Sequence, residues 1–486
     1  MSNCRNLSVT MLAAVILFSG CTVGPDFKRP AAPSVDSYGR SSLAGKTAAT
    51  DIPGGAAQQF IQGQELAHDW WTLFQSPELD ALIEQAFKAN PTLVAAQAAL
   101  RQSNELVYAQ QGFFYPTANA SFSPSRQQAS ATLAPPLNTN QLTYTLHTAQ
   151  VEVGFTPDVF GGNRRQVESL HAQADSKRFE LEAAYVTLAS NVAAAAIQQA
   201  SLRAQIAVSR EIIDLSTKSL ALLRRQLELG YIAGLDVAAQ EAALAQAEQA
   251  LSPLQKQLEQ NRNLLTGLVG AFPSDDPVGE FALDTLHLPE DLPVGLASNL
   301  VEQRPDVRAA EAQMHAASAQ IGVAIANRLP QFTISAAYGG TATKFGQMFA
   351  NGNPFWSVLG DAAQTLFAGG TLMHQERAAE AAFEQATAQY RSTVIAAFQN
   401  VADTLYALQA DAEGLKAAVA AEQATKKTLD LTLKQQQLGY VNYLSLLSAQ
   451  QAYQQALSTR VQTQASRFVD TAALFQSLGG GWWNRP

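Results

Sequence analysis

Between Asn163 and Leu229 the chain contains neither proline nor glycine, the two residues that most readily end a helix. At 1.5 Å per residue, an unbroken helix of this length is a rod of roughly 100 Å. One stripe along it advances in alternating steps of four and three: Leu181, Tyr185, Leu188, Val192, Ala195, Gln199, Leu202, Ile206, and on through Ser209, Ile213, Ser216, Leu220, Leu223 and Leu227. That is a heptad seam, so the rod must pack lengthwise against near-parallel helices. A second stretch, Thr371 to Leu438, is interrupted only by Gly414 and predicts a second rod. Alanine is frequent in both, and its small side chain permits close helix approach on more than one face.

The two rods belong to a duplication. "KSLALLRRQLELGYIAGLDVAAQEAALAQA" (218–247) aligns with "KTLDLTLKQQQLGYVNYLSLLSAQQAYQQA" (427–456), so that Leu229-Gly230-Tyr231 meets Leu438-Gly439-Tyr440 and Leu235 meets Leu444. Asn191-Val192-Ala193 matches Asn400-Val401-Ala402 in the same register. Upstream of each rod, a helical cassette runs from one proline to another with equal spacing: Pro91 to Pro116 and Pro305 to Pro330. The period is about 210 residues, far beyond the roughly 20–50 of solenoid repeats, so one large unit has been copied in tandem. Each copy reads as cassette helix, two strand-like segments, a very long helix, a Gly-Tyr turn and a returning helix.

The strand-like segments fall at about 117–133, 142–156, 331–343 and 354–367. "FTISAAY" (332–338) puts Phe332, Ile334, Ala336 and Tyr338 on one face, and "FWSV" (355–358) does so for Trp356 and Val358. In the second segment Tyr144 and Leu146 alternate with polar residues, and Val153 and Phe155 continue after a slip that suggests a bulge. Outside the N-terminus no apolar stretch is long enough to span a membrane as a helix. Two-faced strands suggest a barrel instead, but membrane barrels start at about eight strands, so several chains must contribute.

The N-terminus reads as an export signal: Arg5, the apolar run "LSVTMLAAVILF" (7–18), then "SGC" (19–21). Cys21 after Ser19-Gly20 resembles a bacterial lipobox, although Phe18 stands where such boxes usually carry Leu. The sequence has two cysteines, and Cys4 leaves with the signal, so no disulfide can form within the mature chain. A single N-terminal thiol suits lipidation. Thr22 follows, and the absence of Asp there favours sorting to the outer membrane. The predicted organisation is a signal peptide (1–20), a lipid-anchored linker (21–67), repeat 1 (68–290), repeat 2 (291–478) and a tail (479–486). Repeat 1 holds a barrel hairpin at about 117–156 and tunnel helices at about 163–270; repeat 2 holds them at about 331–367 and 371–475.

Charged residues make up only 15% of the chain and net charge is −9, with no Lys/Arg cluster, which argues against nucleic acid as a partner. The six histidines are scattered, and HExxH, CxxC, GxSxG and phosphate-binding glycine loops are missing. The expectation is no enzyme, no cofactor and no metal.

"CTVGPDFKRP" (21–30), "WWTLFQSPELDALI" (70–83), "RPDVRAAEAQMHAASAQIGVAIANRLP" (304–330) and the two "LGY" turns together resemble the outer-membrane efflux factors of the TolC type, in their NodT lipoprotein branch. The resemblance covers nearly the whole mature chain. It implies a mainly α fold with β: four barrel strands and long coiled-coil helices per chain, in a homotrimer. Three chains would close a 12-stranded barrel in outer-membrane lipid, continued by a periplasmic α-helical barrel with a mixed equatorial domain. The implied role is the exit duct of a tripartite efflux pump, fed by an inner-membrane resistance-nodulation-division pump and a periplasmic adaptor. The candidate docking residues are Gly230, Tyr231, Gly234, Leu235 and Asp236 in one turn and Gly439, Tyr440 and Leu444 in the other. Relatives often read "LLDAQ" where this chain reads "LLSAQ" (446–450), so Ser448 replaces an acid at the implied entrance constriction. Asp236 is the nearest acid that could substitute. The alternative reading is a non-conducting scaffold lipoprotein whose coiled coils span the periplasm without a pore.

Overall fold

The computed structural model describes residues 22–485 apart from 36, 40–44, 131, 133–140 and 276–277; the signal segment and Cys21 lie outside the described residues. In chain order the main elements are β1 (Gln59–Gln62), α1 (Pro77–Ala89), α2 (Pro91–Gln111), β2 (Thr117–Gln128), β3 (Thr143–Phe155), α3 (Gly162–Glu228) and α4 (Gly234–Leu268). The second half continues with β4 (Asp291–Val294), α5 (Leu300–Gln303), α6 (Pro305–Ala326), β5 (Gln331–Ala342), β6 (Pro354–Ala363), α7 (Thr371–Gln437) and α8 (Tyr443–Ser477). Both rods are single helices of 67 residues, and α7 runs through Gly414 without a break. The proline-bounded cassettes are helical for most of their length, but α2 ends at Gln111 and α6 at Ala326, short of Pro116 and Pro330. A residue preceding proline is pushed out of the helical region, so each helix must unwind before its closing proline.

The chain divides into two compact units. One comprises Leu100–Lys177, Ala310–Tyr390 and the described residues up to Arg29. Its centre is an antiparallel sheet in the order β2-β3-β5-β6. Pairing of β2 with β3 runs without interruption from Thr117↔Gly154 to Gln128↔Thr143, so the anticipated bulge in β3 is not there. The apparent slip arises because residues of both polarities occur on each face of β3. Register sorts the sheet into two faces. Ala120, Val151, Tyr338 and Trp356 lie side by side, as do Ala118, Val153, Ala336 and Val358. Phe155, Ile334 and Gly360 continue that apolar face, and Val151, Val153, Ile334, Tyr338, Trp356 and Val358 are all exposed. The opposite face carries Asn119, Ser121, Gln150, Glu152, Ser335 and Ser357.

The stretch after Cys21 is clamped within the same unit. Arg165 of α3 donates to the carbonyl of Val23 at 3.1 Å and ion-pairs with Asp26 and with Glu168, each at 2.7 Å. Gly24, at φ +93°, lies so close to Gly322 of α6 that an added Cβ would stand 2.4 Å from its Cα. Phe27 stacks on His315 at 4.3 Å, and His315 Nε2 reaches Glu168 Oε1 at 2.9 Å. The two most distinctive sequence stretches therefore meet at paired glycines.

The second unit comprises Pro30–Ala99, Arg178–Ala309 and Arg391–Pro486. Here β1 and β4 form a parallel pair, Gln59↔Asp291 to Gln62↔Val294. Between Leu188 and Leu223 the α3 seam is buried at most positions, and Ala189, Ala193, Ala196, Ile197 and Ala200 are buried beside it, so several faces of the rod are packed there. Residues 45–62, which composition reads as linker, are held against α8 by Arg467. Its fully buried guanidinium donates to the carbonyls of Gly54 at 3.1 Å and Ala56 at 2.6 Å and to Thr47 Oγ1 at 3.0 Å. Gln58 Nε2 adds a bond to Thr471 Oγ1 at 3.1 Å.

Candidate functional site at the hairpin tips

Each long helix reverses through a glycine. Gly230 has φ +75° and Gly439 φ +77°, the left-handed conformation that glycine adopts without steric penalty. In the first turn Gly230 N donates to Leu227 O and Tyr231 N to Gln226 O, both at 2.9 Å. In the second, Gly439 N donates to Gln436 O at 3.0 Å and Tyr440 N to Gln435 O at 2.9 Å. These paired bonds satisfy carbonyls that the helix end leaves open. The two turns are thus the same motif twice.

The returning helices start differently. α8 is capped by Asn442, whose side chain accepts from Ser445 N at 3.0 Å and Ser445 Oγ at 2.8 Å. α4 follows Ala233, which offers no side-chain cap, and carries Asp236 in its first turn, where a carboxylate favours the positive helix end. Beneath the turns, Leu220 and Leu223 of α3, Val237 of α4 and Tyr443 and Leu446 of α8 form one buried cluster, with Ile232, Leu244, Leu429 and Leu447 packed against it. All four long helices contribute, so the tips of both repeats share a core. Within it Tyr443 Oη donates to Gln240 Oε1 at 2.6 Å, and Gln240 Nε2 donates to Ser216 O at 2.9 Å. Burial pushes the Tyr443 hydroxyl up to about 12; the nearby Asp236 charge acts in the same direction and the Ser219 hydroxyl opposes both.

Outside this core the tip is apolar and open. Tyr231, Leu235, Leu438 and Tyr440 are each about two-thirds or more exposed, at 77%, 67%, 70% and 78%, and Leu444 is exposed at 39%. Gly230, Gly234 and Gly439 are exposed as well, Asp236 is half-buried, and Ser448 is exposed on α8. The candidate docking residues of both turns therefore belong to one tip, while Cys21 lies outside the described residues. Sequence reasoning missed the Tyr443–Gln240 pair, because nothing in the local pattern of either helix marks two positions in different repeats as partners. Among the described residues no group of three or more His, Cys, Asp or Glu is placed to hold a metal, and no helix is long and apolar enough to cross a membrane.

A sheet with one continuous exposed apolar face, joined to long helices that turn through twin glycine caps, defines an outer-membrane channel protein. The chain belongs to the outer membrane efflux protein family, whose model matches residues 82–271 and 296–480. It is 26% identical over 481 residues to the pyoverdine export outer membrane protein OpmQ of Pseudomonas aeruginosa, covering 98% of this chain and 97% of that one. It is also 26% identical over 480 residues to the toluene efflux pump outer membrane protein TtgC of Pseudomonas putida, covering 98% and 96%. The solved structure of the outer-membrane channel OprN superposes with a TM-score of 0.83 at 25% identity, covering 95% of this chain and all of that one. The chain is an outer-membrane component of an efflux system and forms its exit channel.

Proposed function

We propose that three copies of this chain join strand edge to strand edge into a 12-stranded barrel, continued by their long helices as a periplasmic tunnel. The supporting observation is the sheet itself. One face is apolar and exposed, and β2 and β6 stand at its two ends, each with a second edge that carries no strand among the described residues. Open edges beside a lipid-compatible face call for pairing with further chains. A non-conducting scaffold would have no use for such a face.

The tunnel is a passive path. It makes and breaks no bonds, so the protein is not an enzyme, and it receives small toxic compounds from an inner-membrane resistance-nodulation-division pump. A periplasmic adaptor docks on the exposed aromatic and leucine residues around Gly230 and Gly439. On this reading the duct conducts what the pump delivers; pyoverdine and toluene stand in the names of two relatives that are each 26% identical to this chain. Cys21 is acylated, and the clamp on residues 22–29 holds the anchor beside the barrel-bearing unit.

Docking is tested at the caps. An added Cβ at Gly230 or Gly439 would meet no atom within 4 Å, so Gly230→Val and Gly439→Val act through positive φ alone, at about 1–2 kcal/mol each. That leaves assembly intact and displaces the tip. With a photo-cross-linker in place of Tyr231 or Tyr440, the unaltered turns should capture the adaptor in cells and the valine variants should not. Equal capture by both would remove the tips as the docking surface. The anchor has its own check: Cys21→Ser should abolish labelling by a radioactive fatty acid, and persistent label would refute acylation at that residue.

A further inference from the structure

On the apolar face of the four-stranded sheet, where the strands run into the helices, lies an open groove of about 620 Å³. Register accounts for its shape. Phe155 of β3 pairs with Ile334 of β5, Ile334 pairs with Gly360 of β6, and Phe332 pairs with Ala362, so all five share one face. Gly360 and Ala362 set little or no side chain beside Ile334 and Phe332, which leaves a depression over β6. Nothing stands above it, since an added Cβ on Gly360 would meet no atom within 4 Å. Pro157 and Val159, in the link from β3 to α3, complete the apolar lining.

The two acids of the lining spend their charge elsewhere. Asp158 accepts from Asn163 N and Arg164 N, each at 2.9 Å, and ion-pairs with Arg164 at 3.2 Å, so it serves the start of α3. Asp361 pairs with Thr333 on the opposite face of the sheet. The open surface is hydrocarbon, which suits an alkyl chain and no polar ligand.

The clamped N-terminal stretch ends beside this groove. Val23 N donates to Phe160 O at 3.1 Å, and the Phe160 ring centre lies 6.4 Å from that of Phe332, a wall of the groove. Thr22 is packed against Gly161, where an added Cβ would stand 2.9 Å from the Thr22 Cα. Cys21 is the next residue, and its Cα can lie no more than about 7 Å from that of Val23. A hydrocarbon chain attached at Cys21 therefore starts within reach of Val159 and Phe332. Being tethered, it enters without the translational cost that a free lipid pays.

We propose that this groove binds one acyl chain of the protein's own Cys21, an assignment that rests on the proposed acylation of that residue. The clamp then does more than keep the anchor near the barrel. It aims one chain along the apolar face from Val159 toward Ile334 and Gly360.

The test uses cells that express the full-length protein and are fed a fatty acid carrying a diazirine in its chain. After illumination, linked peptides of the purified protein are identified by mass spectrometry. The N-terminal peptide bearing Cys21 should be joined through its acyl chain to the segment carrying Phe332 and Ile334 or to that carrying Gly360. Gly360→Phe fills the groove with a ring. Its linkage yield should fall about tenfold, as expected when roughly two methylenes are excluded. Cys21 should remain labelled in that variant, and recovery from outer membranes should be unchanged. Val151→Phe, on the same face outside the groove, should leave the yield as it was. A labelled Cys21 whose chain links only to free lipid, or evenly along the whole face, would overturn the groove and leave acylation standing. So would an unaltered linkage yield in Gly360→Phe. An unlabelled Cys21 would refute acylation itself, and the groove assignment with it.

Discussion

Asp411 of α7 shows how a single residue carries information that its neighbours in sequence do not. Burial pushes its carboxyl up to about 7, Asp470 of α8 adds to the rise through a hydrogen bond and its charge, and Arg467 opposes them. The folded state therefore binds this proton more tightly than the unfolded chain does. Its contribution to stability is fully present below the ordinary carboxylate range, near 3.8, and is lost as pH rises through about 7. Asp411→Asn removes the second charge of the pair permanently. Thermal unfolding at about pH 8 should occur at higher temperature in the variant than in the unaltered protein, and the gap should shrink at about pH 5. A gap of the same size at both pH values would show that Asp411 is ionised throughout. No part of this pair was legible in the sequence, since 411 and 470 lie on different helices and each resembles an ordinary surface acid. Gly230 and Gly439 were legible. A helix-length run ending in Leu-Gly-Tyr leaves few alternatives to a left-handed cap.

At the level of helices and strands, legibility followed periodicity. The heptad stripe of α3 could be read because it repeats over the whole rod, and burial at Val192, Gln199, Leu202 and Leu223 follows it. The strands were found within a few residues of their ends, yet β3 was expected to carry a bulge. Its polarity changes along each face, and a pattern of period two cannot tell a change of polarity from a change of register. Residues 45–62 were misread for another reason. They are held by backbone carbonyls accepting from Arg467, and composition does not report on backbone acceptors. The corrected register makes a sharp prediction at adjacent positions. Val151 is on the apolar face beside Tyr338, and Glu152 is on the opposite face beside Ala337. An Arg on a lipid-facing strand position costs about 2–4 kcal/mol near the middle of the bilayer and far less on the lumen side. Val151→Arg should reduce the assembled protein recovered from outer membranes, while Glu152→Arg should assemble normally. Equal recovery of the two variants would contradict the assignment of faces.

For the molecule as a whole, tandem duplication supplies two hairpins and two long helix pairs per chain, and the twin turns meet over one shared core at Leu220, Val237, Tyr443 and Leu446. Such a chain leaves its sheet incomplete and its tip apolar, and both features call for other chains. The central claim is that copies of this chain enclose a continuous water-filled path. The most direct measurement is current across a planar lipid bilayer after addition of the purified full-length protein. Discrete, stepwise increases in conductance are expected as single channels insert. A folded, membrane-inserted protein that leaves the bilayer electrically silent would contradict the account.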